Sequence, residues 1–110
     1  MVKTKKTKRA FKVLDETIKI SNKKGNGILK FSADIDVDGN LGRYSLTYIN
    51  TYICNEDNGR VLGYGNDHGH HHRHHMGKVE KVDFISFEDI KNRFEKEWRK
   101  IHDKHQKNKA

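Results

Sequence analysis

The chain of 110 residues has no proline, a single cysteine and no hydrophobic run that approaches the roughly 18 residues of a membrane-spanning helix. The basic N-terminus is not followed by the apolar stretch of a secretory signal. Cys54 has no second cysteine with which to form an internal disulfide, which indicates a reducing compartment. We therefore expect a cytoplasmic protein that does not act in a membrane, with turns that depend on glycine and asparagine.

Apolar residues are also scarce, at 33% of the chain against 35% for charged residues. A chain of this length supports one domain with one modest core. So small an apolar share predicts a sheet that buries only one of its faces. We expect a single domain over residues 10–102, preceded by a basic flexible arm at 1–9 and followed by a basic flexible tail at 103–110.

The net charge of +8 is concentrated at the two ends of the chain. Residues 1–12 carry six basic residues and no acid, and residues 99–110 carry five basic residues against one acid. Such ends either keep the protein soluble or bring a polyanion to it, and composition does not separate the two. The candidates for nucleic-acid binding are Lys3, Lys5, Lys6, Lys8, Arg9 and Lys12.

Apolar and polar residues alternate along residues 29–37, which predicts a strand with one buried and one solvated face. Segments rich in glycine, asparagine and charged residues separate this strand from its neighbours and are typical of turns. Further strands are predicted at 11–20, around 44–52, at 60–65 and at 78–85. The expected fold is α+β, an antiparallel meander of four to five strands packed against one C-terminal amphipathic helix.

The helix has the clearest pattern in the sequence. Ser86 followed by Asp89 resembles a capping box at its start. Ion pairs four residues apart, Asp89 with Arg93 and Glu95 with Arg99, are expected on its solvated side. The stripe predicted to face the sheet consists of Phe87, Ile90, Phe94, Trp98 and Ile101.

The segment DIDVDG (34–39) resembles the first half of a calcium-binding loop. Ser45 stands where that loop needs a bidentate glutamate, and both flanks have strand patterns, whereas the loop joins two helices. A solvated strand followed by a turn explains the three aspartates, so we predict no calcium site.

Six of the eight histidines fall between His68 and His75, inside the segment GYGNDHGHHHRHHMGK. Alternate histidines project to one side of an extended chain, and imidazole binds zinc, copper or nickel. Metal binding is therefore one alternative, although the sequence has no second cluster of ligands at motif spacing. A solvated loop without a role is the second alternative. The third alternative is acid–base catalysis on a phosphodiester.

Cleavage of RNA without a metal needs a base for the 2′-hydroxyl proton, an acid for the leaving oxygen and a cation for the developing charge. His72, Arg73 and His74 supply these groups within three residues. A simple strand would put Arg73 on the face opposite the two histidines, so this hypothesis requires a turn, which Gly69 and Gly77 permit. It requires no cofactor and assigns no metal ligand.

The segment GYGNDHGHHHRHHMGKVEKVDFISFEDI resembles the signature of the TumE family of small toxins in prokaryotic toxin–antitoxin modules. Members share a tyrosine–aspartate–asparagine element, a glycine, a histidine–arginine–histidine element and an SFEDI entry into the last helix. The likeness covers residues 63–101, and Gly65 stands where the family has aspartate, whose task is either missing or transferred to Asp67. With His68 added, the candidate catalytic residues are Tyr64, Asn66, His68, His72, Arg73 and His74.

The resemblance implies a toxin encoded beside a helix-turn-helix antitoxin that binds and inhibits it. Toxins of this size are commonly ribonucleases, so the expected target is RNA (mRNA, tRNA or ribosome), with His72 and His74 as acid and base. A non-enzymatic RNA- or partner-binding module and a histidine-rich metal-binding protein are the alternatives, and a homodimer is left open. Exposed apolar residues such as Ile49 and Ile53 are candidates for partner contact.

Overall fold

The computed structural model describes residues 9–108, apart from the side chain of His68. These residues form a fold of the α+β class. A six-stranded antiparallel meander, in the order β1 to β6, packs against one C-terminal helix. The expected class and meander are confirmed, with six strands instead of four to five. The elements are β1 Ala10–Ile20, β2 Gly27–Asp36, β3 Leu41–Ile49, β4 Arg60–Gly65, β5 His72–His75, β6 Lys78–Lys81 and α1 Phe87–Asn108.

The additional strand is the histidine segment itself, because β5 pairs along its whole length with β4 and with β6. Met76 and Gly77 both have positive φ, and they form the tight turn that returns the chain from β5 into β6. The last strand consequently ends at Lys81 and not at residue 85. Histidine is not a strong strand former, so the sequence pattern alone does not reveal β5.

One face of the sheet forms the core and is covered by α1. Phe94 meets the rings of Phe31 and Tyr64 edge to face, and Trp98 lies against Tyr48. The buried apolar residues of the core are Leu29, Phe31, Ala33, Tyr44, Leu46, Tyr48, Cys54, Val61, Leu62, Tyr64, Ile90, Phe94 and Trp98. The predicted stripe is therefore confirmed as the contact face of the helix.

The start of α1 also agrees with the prediction. The Ser86 hydroxyl accepts a hydrogen bond from the backbone N–H of Asp89 at 3.0 Å, as a helix cap does. The predicted ion pairs are present, with Arg93 3.5 Å from Asp89 and Arg99 3.4 Å from Glu95. Among the described residues, no helix has the length and apolar character needed to cross a bilayer.

The predicted tail at 103–110 is wrong over residues 103–108, which continue the helix. His102 is buried and extends the apolar stripe by one turn beyond Trp98. Its Nδ1 accepts the hydroxyl of Tyr48 at 2.6 Å while its Nε2 donates to the carbonyl oxygen of Lys24 at 2.7 Å. A sequence pattern counts histidine as polar, whereas here both nitrogens find partners inside the fold.

The second face of the sheet, which we call the open face, is polar. Antiparallel pairing aligns Ser45 with Gly65 and His72, and aligns Thr47 with Gly63 and His74. Because side chains alternate along a strand, these residues point away from the helix. The open face therefore carries two bare glycines in its centre with histidines on one side of them.

We expect Gly25→Ala to lower the free energy of unfolding by about 2–4 kcal/mol, since it combines backbone strain with overpacking. Gly25 has a φ of +110°, and a methyl group there would lie 2.5 Å from His102 Cε1. Gly39→Ala is the matched control, because Gly39 has a φ of +84° with nothing within 4 Å. Urea unfolding measures both, and equal losses would contradict the importance of the His102 contact.

Candidate active site

The side chains of β5 alternate between the two faces of the sheet. His72 and His74 lie on the open face, whereas Arg73 lies in register with the buried Tyr64 on the helix face. The turn that was expected to bring His72, Arg73 and His74 together is wrong, because pairing with β4 keeps these residues extended. Arg73 is therefore separated from the two histidines by the thickness of the sheet.

The histidines on the open face share a groove of about 360 Å³. The rings of His72 and His74 are 4.8 Å apart between centroids and nearly perpendicular, at 85°. The His70 ring lies 5.7 Å from that of His72 on the other side. We call this site the histidine groove; its lining residues are Arg60, Asp67, His70, His72, His74 and Val79.

Two glycines of β4 give the histidine groove its room. Neither Gly63 nor Gly65 is among the residues with positive φ, so backbone conformation does not require glycine at either position. A methyl group on Gly65 would lie 3.7 Å from His72 Nε2, and one on Gly63 would lie 3.0 Å from Arg60 Cδ. An aspartate at position 65, as in the TumE signature, would face His72; in this chain the acid that lines the groove is Asp67.

The cation beside the histidines is Arg60, which sequence reasoning missed. Simple alternation places Arg60 with Leu62 and Tyr64 on the helix face. The pairing of β3 with β4 skips Val61, so that Arg60 stands opposite Ile49 and turns to the open face. No local signal in the sequence announces this bulge, because it is defined by the partner strand.

Arg60 is fixed from both sides. Its Nε donates to Asp57 Oδ2 at 2.7 Å, and its Nη2 donates to His74 Nδ1 at 3.0 Å. A guanidinium only donates, so Nδ1 of His74 is the acceptor and the ring proton of His74 is on Nε2. Burial, followed by the positive charge of Arg60, lowers the pKa of His74. These contacts hold His74 as a neutral imidazole with an N–H group to offer.

His72 has the opposite tautomer. Its Nδ1 lies 3.2 Å from the carbonyl oxygen of His70, to which it can only donate. The lone pair of the neutral His72 ring is therefore on Nε2, the nitrogen that faces Gly65. The histidine groove thus combines a proton acceptor on His72, a neutral donor on His74 and a fixed guanidinium.

Tyr64 and Arg73 form a separate cluster beneath the helix. The Tyr64 hydroxyl donates to Glu97 Oε1 at 2.7 Å, and burial together with Glu97 raises the pKa of Tyr64 to about 12. Arg73 donates to the same oxygen and to Glu80, each at 3.2 Å. Glu97 therefore connects Tyr64 and Arg73 to α1, on the face of the sheet opposite His72 and His74.

Asn66 and His68 are the remaining sequence candidates for the site. Asn66 accepts the backbone N–H of Tyr44 at 3.0 Å and donates to the carbonyl oxygen of Gly42 at 2.7 Å. It thus continues the bonding between β3 and β4 past the end of β4 and does not line the histidine groove. The side chain of His68 lies outside the described part of the chain.

The basic arm is only partly described. Lys3, Lys5, Lys6 and Lys8 lie outside the described residues, whereas Arg9 and Lys12 are described and exposed. Lys12 is on β1, four strands from β5, which corresponds to roughly 19 Å across the sheet. A polyanion held by both Lys12 and the histidine groove would have to cross the open face.

Metal binding has no preformed centre in the described part of the chain. No group of three His, Cys, Asp or Glu side chains there converges on a point where an ion could be held. His70, His72 and His74 do share one side, as the alternation predicted, but they are spread along the groove.

We expect Arg60→Met to raise the pKa of His74, because the substitution removes a positive charge and the donor to Nδ1. Histidine titration by ¹H–¹⁵N NMR measures the shift and also reports the tautomer. Arg99→Met is the control, since Arg99 lies on the exposed side of the helix, over Trp98. An unchanged His74 pKa in the Arg60 variant would contradict the assigned contact.

Stability should fall on mild acidification. Burial, followed by neighbouring histidines, lowers the pKa of His71, and the pKa of His74 is lowered as well. The unfolded chain then binds more protons, so the free energy of unfolding declines as the pH falls below the ordinary histidine pKa of about 6.5. Urea midpoints at pH 7.5 and pH 5.5 should differ less in the His71→Gln/His74→Gln variant, and an undiminished difference would refute this origin.

Comparison with family models, with curated proteins and with solved structures finds no match to this chain. The likeness to the TumE family thus rests on the motif residues between 63 and 101, and stays a prediction. What the site can do chemically follows from its geometry alone. His72 offers an acceptor nitrogen, His74 offers a donor N–H and Arg60 offers a guanidinium, beside Gly63 and Gly65.

Proposed function

We propose that the protein is an RNA-directed toxin that cleaves phosphodiester bonds without a metal, and that the reaction takes place in the histidine groove. The observation that carries this proposal is the pair of perpendicular imidazoles, 4.8 Å apart, with the Arg60 guanidinium 3.0 Å from the second ring. Their opposite tautomers give the two rings different roles, as acid–base chemistry at one phosphate requires.

In the proposed reaction, His72 Nε2 takes the proton of the 2′-hydroxyl, and the 2′-oxygen forms a bond to phosphorus. The bond from phosphorus to the 5′-oxygen breaks, leaving a 2′,3′-cyclic phosphate. Arg60 and the Nε2–H of His74 donate to the phosphoryl oxygen on which negative charge develops. The leaving 5′-oxygen receives its proton from His70, the third imidazole that lines the histidine groove. His74, expected as acid or base, thus becomes a charge-stabilising donor.

RNA is favoured over DNA because the chemistry uses the 2′-hydroxyl as nucleophile. The net charge of +8, concentrated at the ends of the chain, supports attraction of a polyanion. The likeness to the TumE family supports a cellular role as the toxin of a toxin–antitoxin module, with a helix-turn-helix antitoxin as partner. Within this proposal the target is mRNA, tRNA or ribosomal RNA.

The proposal predicts that total RNA is cleaved in the presence of EDTA and that the 2′-deoxy counterpart is not. His72→Ala should reduce the rate by about 10²–10⁴-fold and Arg60→Met by about 10²–10³-fold. Arg73→Met is the matched control, because it removes a guanidinium from the neighbouring strand. The variant should keep the rate within about threefold, since the partly exposed ion pairs of Arg73 contribute less than about 1 kcal/mol to stability.

Three outcomes would overturn the chemistry. Equal cleavage by all variants would indicate a contaminating nuclease. If Arg73→Met lowered the cleavage rate as much as Arg60→Met, Arg73 and not Arg60 alone would be the cation that stabilises the developing charge. Growth inhibition that survives His72→Ala unchanged, with no cleavage by any form, would identify a binding module without chemistry.

A further inference from the structure

The helix face of the molecule carries a second groove, where the last turns of α1 pass the turn between β5 and β6. It has a volume of about 490 Å³ and lies across the sheet from the histidine groove. We call it the docking groove; its lining residues are Ile53, His75, Met76, Lys100, Ile101, Lys104, His105 and Asn108.

The floor of the docking groove is aliphatic. Ile53, Met76 and Ile101 are partly buried against the core and remain partly exposed in the groove. Met76 has a φ of +48°, a conformation in which asparagine or glycine costs less than methionine. The turn therefore tolerates backbone strain of about 1 kcal/mol while presenting a flexible apolar side chain, the kind found at adaptable binding surfaces.

The rim of the docking groove is basic. Lys100 and Lys104 are four residues apart on the helix, an arrangement that repels in the absence of a negative partner. His75 and His105 add two further nitrogen donors, and no residue lining the groove is acidic. The rim consequently complements a partner that carries carboxylates.

An unsatisfied atom lies at the same place. His105 Nε2 is buried and has no hydrogen-bond partner among the described residues. Buried ring nitrogens are normally paired, so this nitrogen gains a partner only when the side chains around the groove rearrange. A carboxylate that then reached it would accept an N–H from the ring in the tautomer that carries its proton on Nε2.

We propose that the docking groove binds an acidic amphipathic helical segment of a partner protein. The apolar residues of the segment would lie on Ile53, Met76 and Ile101, while its carboxylates would meet Lys100 and Lys104. Amphipathic helices bind in such grooves through apolar residues at positions i, i+3, i+4 and i+7. Nucleic acid is a poorer fit, because the floor is aliphatic and the lining residues include no Phe, Tyr or Trp on which bases would stack. The proposal is independent of any chemistry in the histidine groove.

The experiment uses the full chain and fluorescence anisotropy with a labelled helical peptide that has leucines on one face and glutamates on the other. Its counterpart with lysine in place of every glutamate and an unstructured RNA oligonucleotide are the comparison probes. We expect the acidic peptide to bind, and Lys100→Glu/Lys104→Glu to weaken binding by at least about tenfold, or about 1.4 kcal/mol.

Two variants isolate the groove from general effects. Lys91→Glu/Lys96→Glu changes the net charge by the same amount on the same helix, outside the docking groove, and should alter affinity by less than about twofold. Met76→Asn removes the apolar side chain while suiting the left-handed backbone, so relief of strain offsets part of the lost core contact. The variant should weaken peptide binding while remaining folded, which its urea unfolding curve checks.

The result that would overturn the proposal is equal weakening by the two charge-reversed pairs, which would show attraction to net charge alone. Binding of the lysine peptide as tightly as the glutamate peptide would also overturn it. RNA binding that is lost specifically in Lys100→Glu/Lys104→Glu would assign the surface to nucleic acid instead. Unchanged peptide affinity in Met76→Asn would show that the apolar floor does not contribute to binding.

Discussion

The antiparallel pairing of β4 with β5 is the interaction on which both faces of this molecule depend. It keeps a segment of histidines extended, and extension divides their side chains between the faces. His72 and His74 reach the open face because Gly65 and Gly63 stand opposite them and leave room for imidazole rings. A shift of the pairing by one residue would exchange the two sets of side chains.

Each face then fixes its charged groups in a different way. On the helix face, Glu97 accepts from both Tyr64 and Arg73, so the carboxylate ties β4, β5 and α1 together. On the open face, Asp57 holds Arg60, and Arg60 in turn sets the tautomer of His74. The two arginines are alike in charge, but only Arg60 shares a face with His72 and His74, whereas Arg73 pairs with Glu97 on the helix face.

The division also separates the two proposed activities in space. The histidine groove lies on the open face, where Arg60 and His74 are partly exposed and His72 is buried. The docking groove lies on the helix face, between the β5–β6 turn and the end of α1. His74 and His75 are neighbours in the chain, but the first lines one groove and the second lines the other. A partner in the docking groove would therefore contact β5 from behind the histidines without covering them.

The sequence by itself determined the α+β class, the capped helix and its buried stripe, because these depend on local periodicity and on neighbours three or four residues apart. It also located the histidines that share a groove, since alternation within one strand is a local property. It did not determine that residues 72–75 are a strand or that the helix continues to Asn108, because both depend on long-range partners of histidine. Only the tertiary structure decided which arginine accompanies the imidazoles. Pairing with β3 imposes a bulge at Val61 that turns Arg60 toward them, whereas pairing with β4 keeps β5 extended and places Arg73 on the helix face.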